Sequence, residues 1–212
     1  MIFFVKKNLI IIFVATNFTL KKLSAHFYEN TDVACIAKAL LGKELCTRIN
    51  GHITSGIITE TEAYNGIIDK ASHAYGGKFT NRTKTMYSAG GTAYVYLCYG
   101  IHHLFNVVTN VAGVPHAVLI RNIKPIKGID TMLERRNKKQ FDKTFSTGPG
   151  TLSQALGITT NTHNGISLFG DEIWIEDNGV TIFDKDIKIT PRIGIDYAGE
   201  DAKLPYRFLL QH

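Results

Sequence analysis

The 212-residue sequence lacks the familiar His-x-x-x-His and Cys-x-x-Cys metal-ligand spacings. His102 and His103 are adjacent, so on a strand they point to opposite faces. We therefore expect no metal site. Cysteine is scarce. Cys35, Cys46 and Cys98 are odd in number and widely spaced, which speaks against a disulfide framework and for free thiols in a reducing compartment. Long apolar runs are missing too. Leu9 to Ala15 is a continuous stretch of seven, whereas a membrane span needs about 20. Met1 to Leu20 contains no acid. A basic start with a short apolar segment is signal-like, but apolar residues precede Lys6 and Lys7 and no clean small-residue cleavage site follows. We treat residues 1–22 as an apolar N-terminal extension and 23–212 as the functional domain. There are no repeats, low-complexity tracts or evident linkers.

What remains fits one domain. The chain is 44% hydrophobic, enough for one sizeable core and short of two typical domains. Its net charge of +6 suits nucleic acid but is also common by chance. Asp32 to Leu41 places Val33, Ile36, Ala37, Leu40 and Leu41 at helical spacing, with Thr31 to cap the start and Gly42 the end. Gly128 to Lys139 predicts a second helix, with Ile129, Met132 and Leu133 inward and Glu134, Arg135 and Arg136 on a solvated face. Thr151 to Leu156 predicts a third, ended by Gly157. Ile173 to Glu176, then Asp177-Asn178-Gly179, predicts a hairpin into Val180 to Phe183. Strands dominate, with helices expected early and late. The expected fold is α+β: a single domain with a curved, mainly antiparallel β-sheet, flanking helices and a protruding β-hairpin.

Chemistry concentrates between Thr59 and Tyr99. On the strand GIITETEAY, alternation puts Ile58, Glu60, Glu62 and Tyr64 on one face. A carboxylate beside a ring can be partly desolvated, which suits a general base. Two solvated glutamates on an edge strand would look the same, and the residues alone do not choose between Glu60 and Glu62. His73 lies in a loop between Asn65-Gly66 and Gly76-Gly77, where it is either a structural residue or a flat face for a bound base. Lys78, Arg82 and Lys84, mixed with Thr80, Asn81, Thr83 and Thr85, fit phosphate contact or an ordinary solvated loop. Ala93 to Leu97 predicts a strand with Tyr94 and Tyr96 on one face. Leu104 to Thr109 predicts its partner, with Tyr99 at or near the hairpin tip. An exposed ring at a tip is normally a liability. It has a use if it wedges into stacked bases.

At these residues the sequence resembles the alkyladenine (3-methyladenine) DNA glycosylases, the monofunctional enzymes that release methylpurines. The resemblance is carried, in order, by ALLGKEL, TETEAY, ASHAYGGKFTNR, YVYLCYGIHHLFNVV, VLIRNIKP, TGPGTLSQALGI and PRIGIDYAGEDAKLPYRF. It implies that Glu62 activates the attacking water and that Arg121 helps hold them both. It implies that Tyr64, His73 and Tyr96 bind the flipped base and that Asn106 opposes the exocyclic amine of guanine. Tyr99 would enter the gap left by the base. Lys78, Thr80, Arg82, Met86, Arg192 and Gly194 would lie along the DNA backbone. Lys78 and Phe79 stand where arginine is common among relatives, and lysine can still serve a phosphate. No lysine sits in a motif for a Schiff-base nucleophile, so simple hydrolysis to an abasic site is expected. The resemblance also implies a monomer without metal or organic cofactor. Its partner would be double-stranded DNA with alkylated purines, ahead of downstream abasic-site repair enzymes. It would work off the membrane, in the cytoplasm: nucleoid-associated in a bacterium, nuclear in a eukaryote. Two other readings stay open: a non-catalytic nucleic-acid-binding module and a hydrolase of free nucleosides.

Overall fold

The computed structural model describes residues 21–140, 142, 145 and 148–211. The first twenty residues, and with them most of the N-terminal extension, lie outside the described residues, as does Thr147 of the TGPG motif. In chain order the strands are β1 (Lys21–Lys22), β2 (Glu44–Ile49), β3 (His52–Tyr64), β4 (Ala93–Cys98), β5 (His102–Thr109), β6 (His116–Lys127), β7 (Ile173–Asp177), β8 (Ile187–Thr190) and β9 (Arg207–Leu210). The helices are α1 (Ala25–Tyr28), α2 (Val33–Ala39), α3 (Ile129–Arg135), α4 (Pro149–Leu156) and α5 (Thr160–His163).

The nine strands among the described residues join one curved antiparallel sheet, seven of them in the order β1-β7-β2-β3-β6-β5-β4. β9 pairs with the second half of β3 and carries β8 on its other edge. The α+β expectation holds. Lys21 and Lys22, read from sequence as extension, pair with Asp177 and Glu176 and so belong to the sheet.

Strand alternation sorts the side chains into two populations. Ala63 on β3, Val95 on β4, Phe105 and Val107 on β5, and Val118 and Ile120 on β6 pack with α2, α3 and α4 in the main core. Full burial of a side chain of this class contributes about 1.5–3 kcal/mol, so this face carries most of the stability. Glu62, Tyr64, Tyr94, Tyr96, Asn106, Leu119 and Arg121 alternate with those residues and turn to the opposite face. That face is the site.

Several local expectations are corrected. Ile58 does not share the face of Glu60 and Glu62, for it is fully buried in the main core with Ala63. The register of β3 against β6 shifts on either side of Glu60, where first Thr59 and then Arg121 is the extra residue. A bulge reverses the inward parity of one strand, which simple alternation misses. The cap of α2 is Asp32 rather than Thr31. Its carboxylate accepts from the Ala34 and Cys35 N–H groups at 2.8 and 3.2 Å, a contact worth about 1 kcal/mol. α3 stops at Arg135, short of Lys139, and Arg135 and the following Arg136 are half-buried instead of fully solvated. Arg135 reaches Thr54 Oγ1 and the carbonyls of Ile49 and Ala155. Arg136 donates to the Phe145 carbonyl and Gln154. Val180 to Phe183 forms no strand, so β7 pairs with β1 and β2 instead of a hairpin partner. Among the described residues the α-helices lie at 25–39 and 129–163, with a further 3₁₀ helix at Asp196–Lys203.

Candidate active site

A cavity of about 420 Å³ opens on the second face of the sheet, between β3–β6, the 71–86 loops and the 193–197 segment. That volume suits a single flat heterocycle.

Behind this lining, Glu62 has no solvent exposure. Its Oε2 accepts from the Tyr64 hydroxyl at 2.9 Å and from Arg121 Nη1 at 3.3 Å. Its Oε1 accepts from the Ile193 N–H at 2.9 Å. Tyr64, Arg121 and Ile193 all line the cavity. Burial, and then the neighbouring Glu62 carboxylate, push the Tyr64 phenol well above its ordinary pKa, so it stays a donor. Three of the roughly four acceptor positions of the Glu62 carboxylate are thereby used.

Glu60 has a different job. Its Oε1 accepts from Arg121 Nε and from Arg207 Nε, each at 2.7 Å. It therefore anchors Arg121, whose guanidinium in turn spans both glutamates. Arg121 can do this because the bulge at Glu60 points it toward the cavity while Ile120 and Ile123 both enter the core.

The rings form the walls. Tyr94 and Tyr96 do share a face, with centroids 5.5 Å apart. His73 meets Tyr96 edge-on at 4.6 Å. His73 Nδ1 lies 2.9 Å from the Tyr94 hydroxyl, and Nε2 lies 3.1 Å from Arg82 Nη2. A guanidinium only donates, so Nε2 accepts and Nδ1 carries the proton. Burial, and then the Arg82 cation, push the His73 pKa down to about 4. The unfolded chain takes up this proton near the ordinary value of 6.5. Between 6.5 and about 4 the unfolded state thus binds more protons, and stability falls as pH falls. His73→Gln is expected to lessen the drop in thermal midpoint across that window. His116 is also pushed down, by burial, so a residual slope remains. An equally steep drop in the variant would show that His73 is not the group responsible.

Asn106 is buried, and its Nδ2 donates to the carbonyls of Tyr94 at 3.0 Å and Leu104 at 3.3 Å. Two carbonyl partners settle which amide atom is nitrogen and leave the side chain a rigid part of the wall. At the mouth, Tyr99 is 91% exposed with φ of 51°, followed by Gly100 at 74°. The Ile101 N–H closes the turn onto the Cys98 carbonyl at 3.2 Å, and both central residues have the positive φ of a type I′ turn. A bulky residue in that conformation is uncommon.

The loop residues divide. Lys78 and Thr80 are exposed, and Thr80 and Thr83 exchange N–H to Oγ1 bonds that shape the loop. Arg82 lies 5.0 Å over the Tyr96 ring at the cavity edge. Gly194 lines the cavity. Two assignments do not fit an outer DNA-contacting surface. The Met86 side chain is buried with Ala74 and Tyr94 in the cavity lining, because the turn at Lys84–Tyr87 directs it inward. Arg192 is 5% exposed and salt-bridged to Asp69, so it has no free face for a phosphate.

Sequence reasoning missed Asp69, Tyr197, Ile193 and Arg207. Tyr197, 71% exposed, stands at the mouth and donates to the Ala71 carbonyl at 3.3 Å. The PRIGIDYAGE stretch signalled the segment but not that Ile193 would serve through its main chain. Away from the cavity, ligand atoms of Glu44, Cys46 and Glu176 lie within 4.8 Å of one another. These groups have protein partners: Ser55 and Lys127 on Glu44, and Trp174 on Glu176. No helix among the described residues is long and apolar enough to cross a membrane.

A sequence model described as methylpurine-DNA glycosylase matches residues 26–212. Relatives named "Putative 3-methyladenine DNA glycosylase" include one from Chlamydia felis, 52% identical over 189 residues, covering 89% of this chain and 95% of the relative. Another from Clostridium perfringens (strain 13 / Type A) is 46% identical over 198 residues, covering 90% and 96%. One from Bacillus cytotoxicus is 44% identical over 194 residues, covering 88% and 94%. The cavity walls all fall within the matched stretch, and the chain belongs to the methylpurine-DNA glycosylase family.

Proposed function

We propose that this protein excises 3-methyladenine and related alkylated purines from double-stranded DNA, acting as a monofunctional glycosylase in base excision repair. The observation that carries the reading is the buried Glu62 carboxylate, held by Tyr64, Arg121 and the Ile193 N–H, three residues that line an aromatic cavity. The target nucleotide rotates out of the duplex and its base enters between Tyr64 and the His73–Tyr96 wall. Tyr99 fills the gap it leaves.

The chemistry needs little acid help. A purine methylated at N3 or N7 is already cationic, and its glycosidic bond is weak. Water attacks C1′ and gives its proton to Glu62. The C1′–N bond breaks, and its electron pair neutralises the departing base. The products are free methylpurine and an abasic site, with the strand intact. Stacking on rings contributes roughly 1–3 kcal/mol per base, more for a cation, which offsets an unstacking cost of a few kcal/mol. Asn106 is the rigid wall that would meet the exocyclic amine of guanine.

The test is base release from dimethyl-sulfate-treated duplex DNA, with free bases separated by chromatography. Release of 3-methyladenine without strand cleavage is the expected result. A folded protein that binds this duplex and releases nothing would mean a binding module. Preference for free nucleosides over duplex would mean a nucleoside hydrolase.

A further inference from the structure

Arg192 is a buried cation far better connected than a phosphate contact would require. Its Nη1 donates to Asp69 Oδ2 at 2.5 Å and to the Ala63 carbonyl at 2.8 Å. Its Nη2 donates to Asp69 Oδ1 at 2.9 Å and to the Asp201 carbonyl at 3.1 Å. The guanidinium carbon lies 4.8 Å from the Tyr64 ring centre and 5.3 Å from that of Tyr206, so it sits against both rings. Asp69 also accepts from the N–H groups of Asn65 and Ala71, each at 3.0 Å. A buried ion pair is weak evidence for stability, since desolvation offsets much of its attraction. What this pair does supply is geometry. It grips Ala63, the residue between Glu62 and Tyr64. It shapes the 65–71 loop that leads to His73. It also sets the segment whose next N–H, from Ile193, bonds Glu62.

We propose that Arg192, held by Asp69, is a positioning residue for base excision. It fixes the Tyr64 ring from outside the cavity and presents the Ile193 N–H to Glu62, and it does not contact the DNA backbone. The proposal rests on the glycosylase reading above. Lysine cannot replace it. An ammonium has three donors and no plane, whereas Arg192 makes four directed bonds against two rings.

The experiment uses the full chain with Arg192→Lys and Arg192→Met. Single-turnover base release from dimethyl-sulfate-treated duplex is measured at saturating enzyme, alongside the salt dependence of binding to undamaged duplex. We expect release to fall ten- to a hundredfold in the lysine variant and further in the methionine variant, as for a displacement of about 1 Å at a reacting centre. Duplex affinity and its salt slope stay at wild-type values. A salt slope reduced by about one, with the release rate kept, would make Arg192 a phosphate contact and overturn the proposal. Wild-type release in a folded variant overturns it as well. Should neither variant fold, Asp69→Glu keeps the charge pair on a longer arm. It is expected to slow release with duplex binding retained, and an unchanged rate again overturns the proposal. A wild type that releases no base removes the glycosylase reading itself, and this inference with it.

Discussion

Replacing Glu62 by glutamine is expected to abolish base release while damaged duplex is still bound. General-base assistance contributes about 100- to 10,000-fold, and the amide cannot accept a proton from water. The substitution is close to isosteric. It leaves Arg121 anchored on Glu60 at 2.7 Å, so the buried guanidinium keeps a charged partner and the fold is expected to survive. One amide oxygen can still accept from Tyr64 or Ile193, but not from both sides as the carboxylate does. Rate, thermal midpoint and duplex affinity should be measured together. Loss of rate alone assigns the role to Glu62. Retained turnover would move it elsewhere, and Glu60 would be a poor successor because two arginines already occupy one of its oxygens.

Tyr99→Ala is expected to lose activity on duplex DNA far more than on single strands. Extruding a base costs a few kcal/mol in a duplex, and each 1.4 kcal/mol is a factor of ten. A loss of roughly 10- to 1000-fold on duplex is therefore anticipated if the ring holds the gap open. The substitution should leave stability nearly unchanged, because the ring is 91% exposed and makes no core contact to lose. Leu97 and Ile101 flank it at 43% and 71% exposure, so the hairpin tip presents exposed apolar side chains. Base release from matched duplex and single-stranded substrates decides the matter. Equal loss on both would place Tyr99 in the chemistry or the pocket and not in the stack.

Much of the site was legible because strands announce their faces. Tyr94 and Tyr96 alternate with Ala93 and Val95, and the pocket and core receive them accordingly. The hairpin tip was legible for the same reason, since Cys98-Tyr99-Gly100 interrupts the alternation where a turn must fall. Failures fell where a neighbour supplied what local pattern could not. Ile58 was misplaced because the bulge at Glu60 depends on how β6 pairs. Arg135 was assigned to solvent because the carbonyls that hold it come from β2 and α4. The burial of the Arg192 and Met86 side chains is likewise set beyond the local pattern, by a partner more than a hundred residues away for the first and by a single tight turn for the second.

By itself the sequence determined the composition of the site: which carboxylates, rings and cations the chain carries, in what order, and, away from the bulge at Glu60, on which side of each strand. It also determined the single-domain α+β class, because alternating strands and three short helical periods admit few arrangements. Only the tertiary structure decided which of two glutamates lies buried under the rings, which arginine anchors it, and which is walled in behind Tyr64. The physical reason is that burial and hydrogen-bond partnership are properties of pairs. Glu60 and Glu62 are alike as residues, and they differ because Arg207 arrives on β9 beside the first while the Ile193 N–H arrives against the second.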